Sequence, residues 1–166
     1  PTPTIDNQIM EINADFYIPT DETAIPTGEI LKVEGTPFDF RTPKPIGQDI
    51  NADHEQIKFG NGFDHNYVLN KKEEGELSFA ARITEPVSGR TLECYTTEPG
   101  VQLYTGNYLT GDYKGANGAT FPRRSAVCLE CQHFPDSPNR PYFPSVVLNP
   151  HHRYKQKTIY RFGIAE

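Results

Sequence analysis

The chain has 166 residues, 36% of them hydrophobic, a length that fits one domain with a core of its own. A formal charge of −6 at pH 7 leaves no basic surface for neutralising phosphates, so no nucleic acid is expected as a partner. No apolar run approaches the roughly 20 residues that span a bilayer, so no membrane partner is expected, and the N-terminus lacks a basic-then-apolar leader pattern.

Fifteen prolines, thirteen glycines and frequent β-branched and aromatic residues favour short strands joined by turns, and no amphipathic stretch is long enough for a helical bundle. The expected class is all-β. In chain order, strands are expected over residues 8–13, 30–34, 66–69, 76–85, 90–97, 101–105, 125–132, 145–148 and 153–162. The stretch 42–62 has no good strand, and residues 48–58 suit a short helix. Ser88-Gly89 sits between two strand-like runs, where glycine supplies the positive φ of a tight hairpin turn. Residues 110–120, with Gly111, Gly115 and Gly118, lack the strand-to-helix setting and the lysine of a phosphate loop and read as a surface connection. In the last strand Arg153, Lys155, Lys157 and Arg161 alternate with Tyr154, Tyr160 and Phe162, so one face is expected to be wet.

Three side chains carry the chemistry. Asp64 follows the turn-rich lead Gly60-Asn61-Gly62-Phe63, which presents a carboxylate at a strand end where it can accept hydrogen bonds from ligand hydroxyls; the plainer reading is an aspartate bonding its own turn. Gln102, alternating with Val101 and Leu103, offers two donors and an acceptor to a hydroxyl-rich ligand, although one amide alone says little. Glu130 alternates with Leu129 and Cys131, so it projects away from the apolar side of its strand and suits a general base in a partly desolvated cleft. The plainer reading of Glu130, and from pattern alone the preferred one, is a solvent-facing strand residue.

Cysteine and histidine point elsewhere. Cys94, Cys128 and Cys131 cannot all pair within one chain, so reduced, partly buried thiols are expected. Cys128-Leu129-Glu130-Cys131 has the spacing of half a zinc site, but a strand puts the two thiols on opposite faces and no second ligand pair accompanies them, so no metal is expected. His151-His152, adjacent in a proline-led approach to the last strand, reads as surface or structural. No nucleophile elbow, phosphate loop or dinucleotide fingerprint is present.

Several unusual strings occur together and in order: Tyr17-Ile18-Pro19 with Asp21, Ile25-Pro26-Thr27-Gly28, Gly35-Thr36-Pro37-Phe38-Asp39-Phe40-Arg41, and Gly62-Phe63-Asp64-His65-Asn66-Tyr67-Val68-Leu69. They are followed by Ser88-Gly89-Arg90, the run 99–107 around Gln102, Glu130-Cys131-Gln132-His133-Phe134-Pro135-Asp136-Ser137-Pro138-Asn139, and Phe143-Pro144. In these strings the chain resembles the galactose mutarotase, or aldose 1-epimerase, family from about Asp15 to Phe162.

The resemblance implies part of a large antiparallel β-sandwich, the galactose mutarotase-like supersandwich, of which residues 1–166 form the C-terminal portion. It implies interconversion of the α and β anomers of a monosaccharide such as galactose or glucose by acid–base ring opening, with no metal or organic cofactor. Glu130 is then the base that takes the anomeric hydroxyl proton, while Asp64 and Gln102 hold sugar hydroxyls. The family's acid is a histidine in an Asn-His-Thr/Ser-Tyr-Phe-Asn type motif, and His54, His65, His133, His151 and His152 occupy other contexts. The acid is therefore expected on a missing N-terminal portion, leaving this chain inactive alone, with strand edges and apolar surface that favour self-association. His151 stands where family members often have glycine. The alternatives are a noncatalytic carbohydrate-binding β-sandwich and an interaction domain with vestigial sugar-site residues. The compartment stays open: the cytoplasm is favoured, and periplasm or secretion follows if a leader precedes Pro1.

Overall fold

A computed structural model describes residues 2–165. Two five-stranded antiparallel sheets face one another. The first contains β1 (Ile9–Ile12), β4 (Lys44–Pro45), β6 (Ser78–Thr84), β7 (Arg90–Thr96) and β10 (Thr158–Ile164), in the order β10-β7-β6-β1-β4. The second contains β2 (Ala14–Ile18), β3 (Leu31–Lys32), β5 (Asp64–Leu69), β8 (Gly100–Tyr104) and β9 (Cys128–Gln132), in the order β3-β2-β5-β8-β9. This is the expected all-β sandwich, with one short helix, α1 (Glu55–Gly60), leading into β5.

Period-2 alternation explains the layering. Met10 and Ile12 of β1, Ala81 and Ile83 of β6 and Cys94 of β7 face Tyr17, Tyr67, Val101, Leu103 and Leu129 of the second sheet in one buried cluster. Phe38, Phe40 and Phe63 fill the end of this core; Phe38 stacks on Tyr17 at 4.3 Å between ring centroids and meets Phe63 edge-on. Truncating a ring so enclosed costs about 3–5 kcal/mol. The outer face of the first sheet is polar: Arg82 donates to Glu93 at 2.8 Å and to Glu11 at 3.4 Å. The outer face of the second sheet carries the site described below.

The hairpin expected at Ser88-Gly89 joins β6 to β7, with Gly89 at φ 71°. The expected helix is shorter and later than residues 48–58: His54 caps it by accepting from the Gln56 backbone N–H, and Asn61 ends it in the left-handed conformation. Two short elements, β2 and β4, were not anticipated, whereas residues 145–148 form no strand. Val146, Val147 and Leu148 have the propensity, but among the described residues nothing pairs with them, and a strand needs its ladder. The last strand begins at Thr158, not at residue 153. One wet face understates its exposure: Phe162 and Ile164 stand 77% and 67% exposed on the edge of the first sheet. His151 adopts φ 68°, the left-handed conformation that glycine tolerates best.

Candidate active site

The three candidate residues converge. Asn66, Gln102 and Glu130 lie directly opposite one another across β5, β8 and β9, forming one row across the outer face of the second sheet. Asp64, two residues before Asn66, lies on the same face, diagonal to Gln102, and accepts from the Gln102 Nε2 at 2.9 Å. Gln132 belongs to the next rung and donates to Asn66 Oδ1 at 3.4 Å. Together with Ile18, Thr20, Ala24, Pro26 and Pro135, these side chains line a cavity of about 220 Å³.

Asn66 and Gln132 were not singled out from the sequence, although each lies two residues from a candidate on the same strand, and alternation alone places them on the same face. Asn66 is buried, and it fits because Gly100 packs beside it: a β-carbon there would come within 2.6 Å of Asn66 Oδ1.

Asp64 bonds to Gln102 across the sheet, in place of the turn bond that was its plainer reading. Burial raises its pKa, and the Gln102 bond offsets part of that rise. The carbonyl end of the amide, Gln102 Oε1, is buried and has no partner among the described residues. Glu130 is exposed and faces the cavity, while its neighbour Leu129 is buried. Cys128 shares the Glu130 face, and burial, then the negative charges of Glu130 and Asp64, push its thiol up.

The wall opposite β9 is the loop 20–28. Gln56 of α1 holds both backbone groups of Thr20, accepting from its N–H and donating to its C=O at 2.8 Å each. Asp21 Oδ1 collects the Thr23 and Ile25 N–H groups in a tight turn. The far end is held by Arg140, which donates from Nε to Asp136 at 3.0 Å and from Nη2 to the Pro26 C=O at 2.7 Å, and by Tyr142, whose hydroxyl donates to the Gly28 C=O at 3.0 Å. The approach to Asp64 is equally fixed. Gly62 has φ 136° and lies against Asn107, which donates to the Gly60 and Phe63 carbonyls at 2.9 Å each, leaving no space for a β-carbon.

Among the described residues no histidine lines this cavity. His54 caps α1, and His65 is buried on the core side of β5. There its Nδ1 accepts from the Asp64 backbone N–H and its Nε2 donates to Gln56 Oε1. His133 pairs with Glu98 at 2.7 Å, and His151 and His152 are exposed. Among the described residues no group of three or more His, Cys, Asp or Glu side chains is placed to hold a metal ion.

A model of the aldose 1-epimerase family matches residues 1–161. The chain belongs to the aldose 1-epimerase family. It is 48% identical over 164 residues to the galactose mutarotase of Homo sapiens, covering 99% of this chain and 46% of that protein. It is 37% identical over 162 residues to the aldose 1-epimerase of Escherichia coli strain K12, again covering 46% of that protein. An aldose epimerase homologue from C. elegans superposes with a TM-score of 0.86 at 30% identity, covering 99% of this chain and 48% of that one. The galactose 1-epimerase of Lactobacillus acidophilus NCFM gives 0.80 at 28% identity. The chain therefore spans about half the length of these aldose 1-epimerase relatives, and its two-sheet architecture is that of the family.

Proposed function

We propose that this chain supplies the base and part of the sugar-binding surface of an aldose 1-epimerase that interconverts the α and β anomers of free aldoses such as galactose or glucose. The observation that carries this reading is the cross-strand row Asn66, Gln102 and Glu130 with Asp64 bonded to Gln102, above a cavity the size of one monosaccharide. Two amides and a carboxylate stand there at the spacing of neighbouring strands, with the Asp64 carboxylate beside them, which suits the array of hydroxyls on a pyranose ring.

In this reading Glu130, the carboxylate open to the cavity, removes the proton of the anomeric hydroxyl. The ring C–O bond breaks as the ring oxygen gains a proton, the aldehyde rotates, and reclosure on its other face gives the other anomer. Asp64 and Gln102 accept and donate hydroxyl hydrogen bonds that fix the ring against the sheet. In this reading the acid that protonates the ring oxygen is the histidine that the family resemblance implies, supplied by the remainder of the family fold; among the described residues no histidine lines the cavity.

The test is polarimetric mutarotation of freshly dissolved α-galactose. The chain alone is expected to match the buffer rate, and the chain joined to the remaining half of a relative's length is expected to exceed it. Glu130→Gln in the joined form keeps the shape of the side chain and removes the base, lowering turnover by roughly 10²- to 10⁴-fold. Turnover unchanged by that substitution rejects Glu130 as the base. Saturable sugar binding without turnover in the joined form points to a carbohydrate-binding protein instead.

A further inference from the structure

Behind Glu130, on the opposite side of its strand, two thiols from different sheets touch. Cys131 of β9 faces inward between the layers and Cys94 of β7 faces it, with their sulfur atoms 3.2 Å apart. Cys94 lies opposite Ala81 and Tyr160 in the first sheet, and Cys131 lies opposite Val101 in the second, so the contact bridges the sandwich and not a single ladder. A covalent bond needs about 2.0 Å between the sulfurs, so the two must draw closer for a bond to form.

The surroundings favour reaction at one of the two. Cys94 is fully buried, whereas Cys131 is half-buried on the strand that ends the second sheet. Hydroxyls gather around Cys131: Thr96 and Thr158 bond to each other at 2.9 Å, and Tyr160 donates to the Leu129 C=O at 2.7 Å. The contact with Cys94 brings the Cys131 thiol down, with burial opposing it, while the same contact and burial push Cys94 up. The more accessible thiol is the one a small disulfide meets first, and the buried one lies in contact to resolve it. Cys128, on the cavity side of the strand, is excluded from the pair by strand alternation.

We propose that Cys94 and Cys131 form a reversible dithiol–disulfide site that reacts with small-molecule disulfides and, when oxidised, staples the strand carrying Glu130 to the opposing sheet. The Cys131 thiolate attacks one sulfur of the small disulfide, forming a mixed disulfide and expelling one thiolate. Cys94 then loses its proton and attacks the Cys131 sulfur, expelling the second thiolate. The two protein thiols are oxidised, one small disulfide is reduced to two thiols, and excess dithiol reverses both steps.

The test uses the folded chain and oxidised glutathione, with intact mass and peptide mapping under non-reducing conditions. The expected product has lost the mass of two hydrogens, carries a bridge between the Cys94 and Cys131 peptides, and returns to the starting mass with dithiothreitol. Cys128→Ser, an exposed change, is expected to give the same product, whereas Cys94→Ala is expected to stop at a glutathione adduct on Cys131. The mapping is done on the unsubstituted chain, so the result does not depend on a variant folding. A bridge between Cys128 and Cys131, adducts confined to Cys128, chain-to-chain bridges through Cys128, or a Cys131 that stays unmodified would each overturn the proposal.

Discussion

The Gln102 amide donates to the Asp64 carboxylate at 2.9 Å across the ladder between β8 and β5, joining residues 38 apart in sequence at the floor of the cavity. This bond orients both groups and decides how much of Asp64's burial is expressed as a raised pKa.

Gln102→Leu removes the donor while keeping the bulk. The pKa of Asp64 is expected to rise further, because burial then acts unopposed. A raised carboxyl pKa means that the folded state holds its proton longer than the unfolded state does. The contribution of Asp64 to stability is therefore greatest at low pH and falls as pH rises from the ordinary value of 3.8 through the raised one, and the substitution extends this window upward. The lost bond costs about 1.5–3 kcal/mol with Asp64 ionised. Carboxyl chemical shifts followed through a pH titration read the change directly; an unmoved Asp64 midpoint would show that the bond does not form in solution.

His65 gives the opposite slope. Buried in the core, it is held neutral, its pKa brought down from 6.5 to about 3 by desolvation and then by repulsion from His54. The unfolded chain takes up a proton that the folded chain refuses, so stability is fully present above 6.5 and is lost as pH falls toward about 3. Between pH 7 and pH 5 this one group removes about 2 kcal/mol. Urea midpoints at the two pH values check it: His65→Gln is expected to lose most of the acid slope whatever its stability at neutral pH, and an equally steep slope in that variant would assign it to other groups.

Arg140 holds the cavity wall from a distance. Its two bonds, to Asp136 and to the Pro26 carbonyl, fix a loop whose own backbone is strained at Ala24, where φ is 66°. Arg140→Ala is expected to speed amide exchange across residues 20–28 by about tenfold or more while leaving β5 and β8 unchanged. Arg140→Lys rescues little, since a single ammonium cannot serve both acceptors in the fork geometry of a guanidinium. Exchange that rises equally throughout the chain would mean a global loss of stability with no local role for Arg140.

Much of the site is legible in the sequence because its signals are local. Alternation in Cys128-Leu129-Glu130-Cys131-Gln132 put Glu130 on the face away from the core, and the Ser88-Gly89 turn announced its hairpin. The same rule separated Cys128 from Cys131 and so disfavoured a metal pair. Residues 145–148 show the limit of such signals: β-branched propensity without a neighbouring strand makes no sheet.

By itself the sequence determined the all-β class, the alternation that sets the faces of Gln102 and Glu130, the turn-rich lead into Asp64, and the family, because side-chain alternation and turn chemistry are properties of a few consecutive residues. The tertiary structure alone decided that Asn66, Gln102 and Glu130 share one rung, that Arg140 reaches back 114 residues to Pro26, and that Cys131 meets Cys94 across the sandwich. Strand register and sheet facing are set by how distant segments bury their apolar faces together, and no local pattern encodes that choice.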